Sequence, residues 1–557
     1  MLLGVVSAAC SSGTAPHIRR CTAADPGVTL AVFTYVSIDP ATDSGCAVFP
    51  ATTSQPAEYL VVPQLATGVP GATAAFRLGG DTILPAPSAP VPMASIDAPL
   101  SPADEFHRFL RLGDERRSWG FAPEMAPPGS PPARAPAVIA GGPPALNSLR
   151  PFMVCARTDC SQFNRVVARV RTVQNRVAIY VDTLAPAGGL DSTALDSLAR
   201  VFDQRLYPID TMAFGHESDI DSNSVVLVLM TNTVNKLVTA SACNSSGFVA
   251  GFFFGADLDP AFQNDSRSNK GEIFYSIVAD PAGTLSCTHS ASDLQAILPV
   301  TFIHEFQHMI SFGQHVIARR GNGEVLWLNE GMSHYAEELG GRSYELAPAG
   351  RVTDCTIGND PCHFYIGDLY NAYSYLDSTN KHFLLPKAGI GTLAERGAAW
   401  LFVRYVVDRY AAGNTRANWD AFTRTLEQTS DTGAANIAAA TGTPFATVVS
   451  RWVLAPWVSD IGGAPPELTY NSWGFHAVYQ SLHTQRPATF RKFYPLVPVV
   501  SGARAVALGG TLLAGSGIYQ LAEQPAGDPG FTLSFTAPSG DVINAALLPR
   551  LNVIRLQ

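Results

Sequence analysis

The chain has little charge of either sign. Asp, Glu, Lys and Arg together make up 15% of its 557 residues, against about 25% in an average soluble protein. A basic excess is also missing, because Asp and Glu (46) outnumber Lys and Arg (37) and the formal net charge is −9. Nucleic acids and anionic membrane surfaces attract basic proteins, so we expect neither as the main partner.

Long apolar runs and regular repeats are absent as well. No stretch of about 18 apolar residues occurs, so we expect no membrane-spanning helix. Gly (47) and Pro (41) are plentiful but follow no period, which argues against collagen and simple repeats. What is present is 46% hydrophobic residues, enough for a large core, over a length that predicts about two to four domains.

The amino terminus resembles part of a bacterial export signal. Residues 1–9 are apolar and end in small residues before Cys10, and a stretch rich in Ser, Gly and Thr follows. The resemblance to lipoprotein signals makes Cys10 a candidate for lipidation. It predicts an exported protein that is extracellular, periplasmic or an outer-membrane lipoprotein, with a lipid as its only membrane anchor. A short apolar terminus without an export role is the alternative.

The cysteines support export. Setting Cys10 aside leaves an even set of eight, and disulfides form in oxidising compartments. Sequential pairing is the simplest prediction, because each bridge then stays within one predicted domain. A cysteine metal site is the alternative, although the spacings match no familiar zinc pattern. The predicted bridges are Cys21 with Cys46, Cys155 with Cys160, Cys243 with Cys287 and Cys355 with Cys362.

Changes in composition predict several domains. Short β-like runs separated by Asp, Pro and Gly occur near both ends of the chain, and β-like runs followed by helical patterns occupy the middle. A stretch rich in Pro, Ala and Ser lies between the first two regions and contains one predicted helix over 102–117. The predicted units are a signal and tether (1–19), a β-rich domain (20–80), a linker (81–148), an α+β domain (149–460), a connector (461–486) and a β-sandwich-like domain (487–557).

The most informative motif is His304-Glu305-Phe306-Gln307-His308, in a segment that predicts a long helix over 291–315. Residues i and i+4 lie on one face of a helix, so these two imidazoles can ligate one zinc ion. Glu305 lies one residue further round the helix, where it can reach a water on the metal. Apolar neighbours such as Ile303 would hold the helix in the core.

A second predicted helix supplies a third ligand. Glu330, in Trp327-Leu328-Asn329-Glu330-Gly331, follows His308 by 22 positions. Two histidines and one glutamate leave one zinc position open for water. Together the two segments resemble the gluzincin metallopeptidases. The forms His-Glu-Phe-Gln-His-Met-Ile and Asn-Glu-Gly-Met-Ser-His-Tyr-Ala-Glu are similar to those of the hyicolysin-type bacterial neutral metallopeptidases. The resemblance implies a thermolysin-like α+β catalytic domain with zinc on His304, His308 and Glu330.

The resemblance also implies roles for neighbouring residues. Glu305 would be the general base, and Glu337 would orient a zinc ligand, with a solvated helix face as its alternative. Calcium is a further candidate cofactor at 219–221 and 257–259, where plain turns are the alternative. Gluzincins generally place a Tyr or His donor at the oxyanion, and the candidates here are His334, Tyr365, Tyr370, Tyr373 and Tyr375.

These features predict a secreted or lipid-anchored zinc endopeptidase that acts as a monomer on protein or peptide substrates. The first alternative is a zinc aminopeptidase, although the stretch over 247–257 lacks the Gly-x-Met-Glu-Asn element that holds the substrate amine in that class. The second alternative is a surface adhesin with a structural zinc ion, in which Glu305 would have no chemical role.

Overall fold

The computed structural model describes residues 21–22, 24–25, 27–42, 45–81, 100–121, 141–387 and 391–557. The predicted signal, Cys10 and much of the predicted linker lie outside these residues. Among the described helices, none is both long and apolar enough to cross a membrane.

The described residues form a multidomain α/β protein with three sheets. The strands are Tyr35–Ile38 (β1), Cys46–Phe49 (β2), Ala57–Leu65 (β3), Thr73–Gly79 (β4), Leu149–Cys155 (β5), Phe163–Val173 (β6), Val177–Asp182 (β7), Val226–Met230 (β8), Gly251–Phe253 (β9), Ile273–Ser276 (β10), Val499–Gly502 (β11), Ala507–Leu513 (β12), Gln520–Gln524 (β13), Phe531–Thr536 (β14) and Pro549–Arg555 (β15). The helices are Pro102–Arg116 (α1), Ser192–Val201 (α2), Tyr207–Phe214 (α3), Asn232–Asn235 (α4), Ala240–Ser246 (α5), Ala291–Phe312 (α6), Leu326–Arg342 (α7), Asp360–Asp377 (α8), Leu393–Tyr410 (α9), Arg416–Glu427 (α10), Gly433–Thr441 (α11), Phe445–Trp452 (α12), Ala455–Val458 (α13) and Phe475–Gln485 (α14).

The two ends of the chain build one β-sandwich. One sheet has the order β1-β15-β3-β13-β11 and the other the order β12-β4-β14-β2. Both sheets therefore combine strands from before and after the central domain. The prediction of two separate flanking β domains is wrong, because each β region alone lacks the strands that pair with it. Their shared core includes Val61, Phe76, Leu533 and Val553, which are at most 1% exposed.

The middle of the chain forms a six-stranded sheet of order β5-β6-β7-β8-β10-β9. Strands β7, β8 and β10 are parallel, while β9 runs antiparallel to β10 at the edge. Helix α6 packs on this sheet through Phe302, whose ring contacts Phe274 of β10. The rings of Phe302 and Phe306 also contact Phe202, in the helical turn that follows α2. The sheet thus fixes the position of α6 relative to the edge strand β9.

Local sequence explains where α6 begins. The Ser290 side chain accepts a hydrogen bond from the Asp293 amide, and the Asp293 side chain accepts one from the Ser290 amide, so the two form a capping box. Pro299 lies inside the helix. The predicted helix over 291–315 is confirmed to residue 312, after which residues 313–318 continue as a wider π-helical turn.

Four disulfides join the cysteines in sequential pairs: Cys21–Cys46, Cys155–Cys160, Cys243–Cys287 and Cys355–Cys362. The pairing follows the prediction. Each bridge closes a loop of at most 44 residues in sequence, so none of these four links the two halves of the sandwich. Strand pairing, core packing and polar contacts such as the Arg550–Asp39 ion pair hold those halves together.

Deleting residues 549–557 tests the shared sandwich. Strand β15 lies between β1 and β3, so its loss should expose the amides of both strands, although they lie far earlier in the sequence. Hydrogen exchange measured by mass spectrometry should show loss of protection over 35–38 and 57–65. The substitution Val499→Ala, at a side chain that is 54% exposed, is the control and should leave protection unchanged. Full protection after the deletion would contradict the shared sheet.

Candidate metal centre

Helices α6 and α7 bring three potential metal ligands together. His304 and His308 lie one turn apart on α6, and their Nε2 atoms are 3.1 Å apart. Glu330 on α7 faces both, with its Oε2 atom 3.7 Å from Nε2 of His304 and its Oε1 atom 3.5 Å from Nε2 of His308. The structure therefore places the three predicted ligands around one point.

The outer nitrogen of each imidazole is hydrogen-bonded. Nδ1–H of His304 donates to Oε1 of Glu337 over 2.7 Å. Nδ1–H of His308 donates to the side-chain oxygen of Asn329, and the Ser333 hydroxyl lies 2.9 Å from the same nitrogen. A neutral imidazole carries one proton, and in both rings these bonds place that proton on Nδ1. Each Nε2 atom therefore has a free lone pair, directed towards Glu330, that can bind a metal ion.

A cation fits this donor set. The side chain of Glu330 is almost fully buried, and neither of its carboxylate oxygens has a hydrogen-bond partner among the described residues. Two lone pairs and a carboxylate facing one another in the interior repel unless a positive charge lies between them. One ligand atom from each of His304, His308 and Glu330 lies within 4.8 Å of the others. These residues could therefore hold a metal ion.

Glu305 lies beside the cluster without belonging to it. Its Oε2 atom accepts a hydrogen bond from the Phe253 amide of β9 over 2.8 Å. The strand comes this close because Gly251 has no side chain; a methyl group there would lie 2.6 Å from Cγ2 of Thr301. Burial raises the pKa of Glu305, against the opposing charges of His304 and Arg111. A carboxyl with a raised pKa is suited to accept and return a proton.

His334 occupies the next turn of α7 after Glu330. Its Nε2 atom is 4.0 Å from Oε2 of Glu330, and its Nδ1 atom is 2.8 Å from Asp368 and 3.1 Å from Glu337. Burial acts to lower the pKa of His334, but the carboxylates of Glu337 and Asp368 outweigh it and raise the pKa to about 10. His334 is therefore a cationic donor close to the cluster at neutral pH.

Asp368 and Phe253 contact residues of the candidate centre, and sequence reasoning missed both. Asp368 is 1% exposed on α8, and nothing in the sequence marks it among the many acidic residues. Phe253 acts through its backbone amide, which no residue type reveals. The spacing of the metal ligands along helices α6 and α7 was visible in the sequence, whereas contacts from α8 and β9 depend on tertiary packing.

The structure does not bring the four candidate tyrosines to the cluster. The Tyr365 hydroxyl donates to Glu345, the Tyr373 hydroxyl accepts from the Lys492 amide, and the Tyr375 hydroxyl bonds to Ser516. Tyr370 is 44% exposed, whereas the cluster is buried. Helix α8 instead presents Asp368 to the site, with a carboxylate oxygen 2.8 Å from Nδ1 of His334.

Three further groups of side chains could hold a cation by distance alone. Two are Asp219 with Asp221 and Glu272, and His304 with His334 and Glu337. The third combines His289 with the disulfide-bonded Cys243 and Cys287. In the second predicted calcium segment, the Asp257 carboxylate accepts hydrogen bonds from Asn269 and Tyr275 and that of Asp259 pairs with Arg117. Those two carboxylates are thus engaged within the protein.

Comparison with known proteins gives one weak relationship. No protein-family model matches the chain. Over 144 residues it is 24% identical to the neutral metalloprotease ShpI of Staphylococcus hyicus. The match covers 26% of this chain and 30% of that protein, so the chain spans less than a third of the relative's length. The similarity supports a distant relationship to a metallopeptidase and, with the candidate ligands, a metal cofactor.

Replacing Glu337 by Gln should weaken metal binding. The charged acceptor that fixes the ring of His304 would be lost, and such outer partners typically contribute about 10- to 100-fold in metal affinity. Competition with a chromophoric chelator measures the change for added zinc. The matched control is Glu523→Gln on β13, an exposed carboxylate far from α6 in the fold. Equal affinity in both variants would show that Glu337 does not support the ligand.

Proposed function

We propose that the protein is a zinc-dependent peptidase of the gluzincin type. The observation that carries the proposal is the buried carboxylate of Glu330. It has no hydrogen-bond partner among the described residues and faces two imidazole lone pairs beside a proton-accepting Glu305. Two histidines, one glutamate and an open position form the usual donor set of hydrolytic zinc. The partial similarity to a neutral metalloprotease points the same way.

His304, His308 and Glu330 would hold the zinc ion. When bound, zinc polarises a peptide carbonyl and lowers the pKa of a water molecule. Glu305 would accept a proton from the attacking water and would then pass that proton to the leaving amine. The Phe253 amide holds the carboxylate in place for both transfers.

His334 stabilises the negative charge that develops on the carbonyl oxygen. Its imidazolium donates from Nε2, the nitrogen that faces Glu330, while Nδ1 lies 2.8 Å from a carboxylate oxygen of Asp368. A donor whose position is fixed before reaction is most effective, because little reorganisation is then needed. Asp368 and Glu337 act on the reaction through His334 and are positioning residues.

Peptides are the favoured substrate class because β9 is the edge strand of the central sheet, next to Glu305. An extended chain can pair with such an edge and place its carbonyls in order along it. Internal cleavage is therefore part of the proposal. The disulfides also favour export from the cell, since such bonds persist in oxidising compartments.

The substitution Glu305→Gln should leave zinc binding intact and lower the rate of hydrolysis by several orders of magnitude, because the amide cannot accept the proton. Glu330→Gln should lose zinc as well as hydrolysis. A mixed library of peptides with blocked amino termini, read by mass spectrometry with and without a zinc chelator, measures the reaction. Zinc content by elemental analysis measures the cofactor.

Three outcomes separate the alternatives. Cleavage of blocked peptides at internal bonds would exclude obligatory aminopeptidase action. Full zinc content and full hydrolysis in Glu330→Gln would reject the ligand assignment. Zinc in the wild-type protein without any hydrolysis, even in the loosened variants described below, would favour a structural metal site in a binding protein.

A further inference from the structure

The reactive groups of the candidate centre are closed off from solvent. His304 is 8% exposed, Glu305 2% and Glu330 1%. Hydrolysis of an internal peptide bond requires several substrate residues to lie beside these groups. The elements that pack around the site therefore decide whether an extended chain can reach it.

Helix α1 lies on the edge strand that would receive the substrate. The guanidinium of Arg111, itself 2% exposed, donates to the Phe253 carbonyl over 2.6 Å. The Phe253 amide is already bonded to Glu305. Both polar backbone groups of this residue are thus engaged, and a substrate strand cannot use its carbonyl while Arg111 holds it.

The first half of α1 also packs on β9. The Phe106 ring lies edge-on to Phe252 of β9, with ring centroids 4.8 Å apart. Phe106 and Arg111 of α1 therefore both contact the strand that binds Glu305.

Two attachments hold α1 in place. At its start, Asp104 pairs with Arg396 of α9 over 2.7 Å, and both side chains are mostly buried. After its end, Trp119 packs edge-on against Phe254 and Phe262. Between these attachments, Phe106 and Leu110 are fully buried. The ion pair is therefore the attachment that one polar substitution can remove without cutting into the core.

We propose that α1 is an intramolecular inhibitor that holds the peptidase latent until it withdraws from β9. The inference rests on the proposed function. It assigns a role to a segment, 100–121, whose neighbours on both sides in sequence are rich in Pro and Ala. Displacing α1 would free the Phe253 carbonyl and open the face of β9 that adjoins Glu305.

Loosening the ion pair tests the proposal in the full-length, zinc-loaded protein. Arg396→Ala should raise kcat/KM for a quenched peptide, and the rate at which a chelator removes zinc, by roughly three- to tenfold, the range for one partly buried ion pair. Arg396→Lys should restore most of the latency because the charge returns. Arg504→Ala, at an exposed arginine of the sandwich, is the matched control and should change neither rate.

A second measurement does not depend on hydrolysis. A peptide hydroxamate, which binds zinc and lies along the substrate path, should increase hydrogen exchange over 105–112 as it displaces α1. Inhibitor binding with these amides still protected would overturn the proposal and make α1 a permanent wall of the cleft. Equal chelation rates in wild type and Arg396→Ala would also overturn it. If a chelator removes zinc faster from Arg396→Ala but neither protein hydrolyses the peptide, α1 does cover the site and the proposed function is rejected instead.

Discussion

Buried carboxylates on α7 determine how the centre is built. Every residue of this helix is buried, so each of its charged side chains needs a partner within the protein. Glu337 pairs with His304 and His334, and Glu338 forms ion pairs with Arg342 and Arg404. These contacts fix α7 against α6 on one side and α9 on the other. The spacing between Glu330 and the two imidazoles follows from those attachments.

The centre also depends on the edge of the sheet. Strand β9 reaches Glu305 because Gly251 permits a close approach, and its Phe253 amide then orients the carboxylate. The same residue presents its carbonyl to Arg111 of α1. Phe253 therefore contacts both the proposed general base and the helix that lies on the strand. A movement of α1 would for this reason also affect the residue that orients Glu305.

The parts of the structure that depend on local sequence could be predicted. The segment over 291–315 was predicted as a helix with apolar residues that hold it in the core, and the spacing of its histidines and of Glu330 predicted a common site. The parts that depend on distant pairing could not. Nothing in 35–38 indicates that its partner lies at 551–554, so one sandwich was taken for two domains. Asp368 and Arg111 reach the site only through the packing of α8 and α1, and the tyrosines of α8 were misplaced for the same reason.

The position of β15 has a consequence for how the protein acquires its fold. Strands β1 and β3 precede the central domain in the chain, yet the strand that joins them follows it. Contacts at such sequence separation form slowly, because the entropy of closing the loop must be overcome first. The two earlier strands therefore keep open hydrogen-bonding edges until β15 has been synthesised, a state that is prone to aggregation. The central domain has no such delay, so it can fold before the sandwich that is built around its two ends.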